Sequence, residues 1–94
     1  MSNKYEAMYI IDAIIEEEVR KGLIERFSAI VTDNGGTITS VDEWGKRRLA
    51  YPIEKKNEGY YVLMHFEAAP ELPRELERNF QISEDIMRYL VIRR

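Results

Sequence analysis

Residues Tyr5-Glu6-Ala7-Met8-Tyr9-Ile10-Ile11 are rich in β-forming side chains, with apolar groups at both odd and even positions. That pattern predicts a strand covered on two faces, hence a central one. The period then changes. Val19, Leu23, Ile24, Phe27, Ile30 and Val31 recur at spacings of three and four, which predicts a helix within Asp12 to Asn34. Glu16, Glu17 and Glu18 sit in its first turn, where negative charge suits the positive end of the helix dipole. Asn34-Gly35-Gly36 ends it, because glycine accepts the left-handed geometry beyond a helix C-terminus.

Thr37 to Asp42 is β-branched and predicts a second strand. Trp44-Gly45 interrupts it as a bulge or bend, and Leu49-Ala50-Tyr51-Pro52-Ile53 continues it. Pro52 cannot donate to a ladder, so this part belongs to an edge or a loop. Lys55-Lys56-Asn57-Glu58-Gly59 is expected as a polar turn before a third strand, Tyr60 to Phe66. In that strand Val62, Met64 and Phe66 share one face, and Tyr61, Leu63 and His65 the other. Pro70-Glu71-Leu72-Pro73 opens a second helix with Leu72, Leu76 and Phe80 on one stripe. Ile86 to Ile92 is a fourth strand. The order strand, helix, strand, strand, helix, strand predicts an α+β fold of the ferredoxin-like split β-α-β kind. It is a four-stranded antiparallel sheet with two helices on one face and the other face open. A length of 94 residues suits one domain, 1–94.

Composition narrows the chemistry. There is no cysteine, which removes disulfides, thiolate metal sites and thiol catalysis. His65 is the only histidine, so a metal site or triad lacks partners, and its expected role is structural. Consecutive Glu16, Glu17 and Glu18 point around a helix and do not converge as a catalytic pair. Gly35-Gly36 is too sparse for a phosphate-cradling loop. Met8, Met64 and Met87 read as core filler. No catalytic residue, metal, cofactor or small-molecule substrate is expected. Met1-Ser2-Asn3-Lys4 is no signal pattern and no apolar run reaches spanning length, so the expected location is cytoplasmic, without a membrane.

The net charge is −3, which by itself argues against a nucleic-acid partner. Its distribution changes the picture. Lys46, Arg47, Arg48, Lys55 and Lys56 cluster with only Glu54 among them, while Arg88, Arg93 and Arg94 lie on or after the last strand. Phosphate neutralisation needs a local cationic surface, not a basic total. The same cluster also reads as a solvated sheet edge guarded by lysines. Trp44, Tyr51, Tyr60 and Tyr61 flank the charges and could stack on bases, or serve as core. On residues alone the two readings stay level.

Trp44-Gly45-Lys46-Arg47-Arg48-Leu49-Ala50-Tyr51-Pro52-Ile53 resembles the signature of ribosomal protein six of the bacterial small subunit. Tyr5-Glu6-Ala7-Met8-Tyr9-Ile10, Gly59-Tyr60-Tyr61 and Ile86-Met87-Arg88-Tyr89-Leu90-Val91 are similar to other parts of that family, in order along the chain. The resemblance implies the fold already read and a non-enzymatic role on the ribosome. It implies binding to the central domain of small-subunit ribosomal RNA, jointly with small-subunit protein eighteen. By position it matches Lys46, Arg47 and Arg48 to the family's basic block, Lys55 to a basic hairpin position, Arg88 to a basic last-strand position, and Tyr51 and Pro52 to its edge segment. On their chemistry Lys46, Arg47, Arg48, Lys55, Lys56, Arg88 and Arg93 are the expected RNA-binding residues, and Leu49, Tyr51, Pro52 and Ile53 the expected partner-binding ones. Gln81 and Ser83 stand where some relatives carry arginine. The competing reading is a ferredoxin-like ligand-sensing or oligomerisation module.

Overall fold

The computed structural model describes residues 2–53 and 56–94. Its elements are β1 (Asn3–Asp12), α1 (Glu17–Asp33), β2 (Thr37–Ile53), β3 (Lys56–Ala68), α2 (Leu72–Ile82) and β4 (Ile86–Arg93). The sheet order is β2-β3-β1-β4, antiparallel throughout. β1 is therefore central, as its two-faced apolar pattern required.

Alternation along β1 and β3 separates the faces. Tyr5, Ala7, Tyr9 and Ile11 join Val62, Met64, Phe66 and Ala68 beneath the helices, all buried. From above, α1 contributes Leu23, Ile24, Phe27 and Val31, and α2 contributes Leu72, Leu76 and Phe80. Phe27, Phe80 and Tyr9 form an aromatic knot with centroids 4.7 to 5.3 Å apart, and Tyr89 of β4 stacks on Phe80 at 5.4 Å. Such ring pairs add to the area they remove from water.

Val19 departs from expectation. It is about half exposed, because the first turn of α1 carries it to the flank of the apolar stripe. The helix stop is as read. Gly35 adopts φ 84, and the N–H groups of Gly35 and Gly36 donate to Thr32 and Val31 carbonyls at 3.2 and 2.8 Å.

The expected turn at residues 55–59 is corrected. β3 already begins at Lys56, and Arg48 and Arg47 pair with Glu58 and Gly59. The β2–β3 hairpin here is an arm running beyond the core. Its strands bury little, so their polar composition imitates a turn. Two irregularities shape this arm. Trp44 is an extra residue between the Glu43–Val62 and Gly45–Tyr61 pairs, with Gly45 at φ 86. Farther out, Leu49 to Pro52 lie opposite Asn57 alone, which frees Pro52 from any ladder donation.

Candidate nucleic-acid interface

The open sheet face divides into regions of different chemistry. Its middle is aliphatic. Met8 sits between Leu63 and Leu90 in the register, and Ile10 between Tyr61 and Arg88. Leu90 is 60% exposed and Ile92 44% exposed, which is unusual for side chains on a sheet. Met8, Ile10, Arg88, Tyr89 and Leu90 line a shallow pocket of about 380 Å³.

The arm carries the charge. Lys46, Arg47 and Arg48 are all exposed on β2, an edge strand. Arg47 Nε donates to the Trp44 carbonyl at 3.3 Å, which holds its guanidinium beside the bulge. Five of the 14 lysines and arginines fall within residues 46–56, against one of the 17 acids. The positive charge is therefore concentrated although the total is negative.

Glu43, three residues before Lys46, turns toward the helices. It accepts a 2.7 Å hydrogen bond from the Tyr60 hydroxyl, and the Arg20 guanidinium lies 4.0 Å from the Tyr60 ring centre. Burial first, then the hydrogen bond to Glu43 and its charge, raise the Tyr60 phenol above its ordinary value.

The remaining sequence-assigned cations are not equivalent. Lys56 is ion-paired with Asp12 across the base of the arm. Burial pushes the Asp12 carboxyl up, but the Lys56 and Ile14 hydrogen bonds and the Lys56 charge outweigh it, so the group lies below its usual range. Arg88 donates to the Tyr51 hydroxyl and sits 5.3 Å from that ring's centre. A residue assigned to RNA and one assigned to a protein partner thus meet in the free chain. Arg93 is exposed but pairs with Tyr5, five residues along β4 from Arg88, or about 17 Å away. It does not join the arm. Lys55 lies outside the described residues.

The partner assignments also divide. Tyr51 and Pro52 are exposed and Ile53 is half-buried. Leu49 is not available in this state: it is 9% exposed and folds inward over Gly59 beside Ile10. Its place in a β-rich run gave no sign of this, since the fold-back depends on the bulge beyond it.

Sequence reading missed one constellation. His65 Nε2 lies 2.7 Å from Glu6 Oε1, and Nδ1 lies 3.0 Å from Ser40 Oγ. The three residues are cross-strand neighbours on β1, β3 and β2. Only the register brings them together. The row ties three strands across a flat face, consistent with the structural role expected of His65.

Comparison with known proteins decides the class of this molecule. The model of the family "Ribosomal protein S6" matches residues 4–93. The chain belongs to the ribosomal protein S6 family. A small ribosomal subunit protein bS6 from Caldanaerobacter subterraneus subsp. tengcongensis is 57% identical over 89 residues, covering 95% of this chain and 94% of the relative. The bS6 protein of Clostridium novyi is 51% identical over 88 residues, covering 94% and 93%. The crystal structure of 30S ribosomal protein S6 from Thermotoga maritima superposes with a TM-score of 0.95 at 35% identity, covering 100% of this chain and 89% of that one. As an S6 family member, the chain is a structural, non-enzymatic constituent of the bacterial small ribosomal subunit, found on ribosomes in the cytoplasm. Membership implies association with small-subunit ribosomal RNA. Among the described residues no helix is long and apolar enough to cross a membrane, and no group of acids and histidine could hold a metal ion.

Proposed function

We propose that this family member binds the central domain of small-subunit ribosomal RNA jointly with small-subunit protein eighteen, acting as a single domain over residues 1–94. The arm meets RNA and the aliphatic middle of the open face meets protein. The observation that carries this division is the contrast between exposed Lys46, Arg47 and Arg48 and the aliphatic surface of half-buried Met8 and Leu63 and exposed Leu90. Phosphate oxygens are satisfied by cations on an accessible edge. Aliphatic side chains on the middle strands give bases little to stack on, but suit the buried centre of a protein interface.

In this reading Arg47 and Arg48 contact phosphates directly, with Lys46, Lys55 and Lys56 adding positive potential along the arm. Arg88 serves RNA once Tyr51 has moved, and Arg93 contributes at the far end of the sheet. Tyr51, Pro52 and Ile53 border the protein side beside the exposed Leu90. Specificity comes from the shape of a folded RNA junction.

The test is binding to a central-domain RNA fragment with and without protein eighteen. Joint binding much tighter than that of either protein alone supports the proposal. If protein eighteen leaves RNA affinity unchanged and does not bind this chain, the pairing is wrong. A symmetric homodimer that ignores RNA would favour the oligomerisation reading instead.

A further inference from the structure

We infer that Trp44 and Tyr61 form a stacking platform for an unpaired RNA base, with Arg47 holding the adjoining phosphate. The inference rests on the RNA-binding reading and adds a base-contact site to it. The two rings are nearly parallel, with an interplanar angle of 8° and centroids 6.4 Å apart. Trp44 is the extra residue of a bulge and keeps 43% of its surface exposed, outside the buried core. Gly45 makes this possible: at φ 86 it takes a backbone conformation that side chains resist, and open space surrounds the position. The chain thus departs from regular pairing at the point that holds its sole tryptophan on the open face.

The charges beside the platform fit an RNA strand. Arg47 is hydrogen-bonded to the Trp44 carbonyl, so a cation is anchored to the backbone of the residue that carries the ring. Asp42 lies on the other side, opposite Leu63, two residues along β3 from Tyr61. The phosphate path therefore runs over Arg47 and away from Asp42. Bases stack on exposed aromatic rings whatever their identity, while neighbouring cations follow the backbone. A base paired within a duplex cannot offer its face in this way, so the ligand is a single-stranded or bulged nucleotide.

Trp44 is the only tryptophan, which makes its emission a local reporter. The full chain is titrated with a short single-stranded oligoadenylate and with an RNA duplex of equal length. Emission is read together with the anisotropy of labelled RNA. The single strand should quench Trp44, and the duplex should bind without comparable quenching. Trp44→Ala should weaken single-strand binding roughly 5- to 150-fold, with Trp44→Phe retaining most of it and duplex affinity unmoved. If anisotropy reports binding while emission stays constant and Trp44→Ala binds as the parent does, the platform is refuted and the RNA-binding reading survives. If no RNA, central-domain fragment included, binds even at low salt, both fail. Should Trp44→Ala unfold, quenching in the parent protein still decides.

Discussion

Gly59 is where the arm meets the body of the sheet, and replacing it with alanine tests how closely the two are fitted. The residue is buried, pairs with Asp12 on one side and Arg47 on the other, and lies under Ile10 and Leu49. An added Cβ would overlap Ile10 Cγ2 and lie 3.5 Å from Leu49 Cδ2 and 3.7 Å from the Ile11 carbonyl oxygen. Ile10 is β-branched and stiff about its first side-chain torsion, so it cannot simply swing aside. Overpacking of this kind costs about 1–3 kcal/mol. Restricting the unfolded chain returns at most about 1 kcal/mol. With the overlap this deep the upper part of the overpacking range, about 2–3 kcal/mol, applies, so Gly59→Ala should lower stability by about 1–2.5 kcal/mol in urea denaturation. Ile10→Ala removes the methyl that is struck and should itself cost about 2–5 kcal/mol. In the double variant the collision is absent, so the total should fall short of the sum by about 1–3 kcal/mol. A neutral Gly59→Ala, or a double variant additive within about 0.5 kcal/mol, would refute the seating of the arm.

Other expectations follow from the core and from the pin at the arm's base. Phe80→Ala empties the aromatic knot shared with Tyr9, Phe27 and Tyr89, and should cost about 3–5 kcal/mol by chemical denaturation. Lys56→Met strands the Asp12 carboxylate, whose side chain is only 9% exposed, and should cost about 1–3 kcal/mol at neutral pH. Folded Asp12 holds a proton more weakly than the ordinary value of 3.8. Its stabilisation is therefore present above that value and lost as pH falls through the depressed one. Asp12→Asn should flatten the acid limb of a stability-versus-pH curve below about pH 5; parallel limbs in parent and variant would count against the pin.

What the sequence made legible followed the burial. Leu23, Ile24, Phe27 and Val31, and again Leu72, Leu76 and Phe80, are periodic because each must reach one core, and each is buried. Strand β1 announced its central position through apolar residues of both parities. The arm was harder to read, since Asn57 and Glu58 face solvent on both sides and hydrophobic period loses its meaning there. Basic clustering from Lys46 to Lys56 was visible in the chain, yet not that Lys56 is held by Asp12, 44 residues away. The Arg88–Tyr51 contact and the Ser40–His65–Glu6 row depend on register and bulges, which no local pattern encodes.

The arm is the surface proposed to meet RNA, and the salt dependence of affinity tests this most directly. Binding of the parent and of Arg47→Glu/Arg48→Glu to central-domain RNA, in the presence of protein eighteen, is followed across a salt series. Loss of two phosphate contacts should make the slope of log affinity against log salt shallower by roughly 1.4 to 1.8. The gap between the two proteins should widen toward low salt. Equal affinities and equal slopes across the series would contradict the assignment of the arm to RNA.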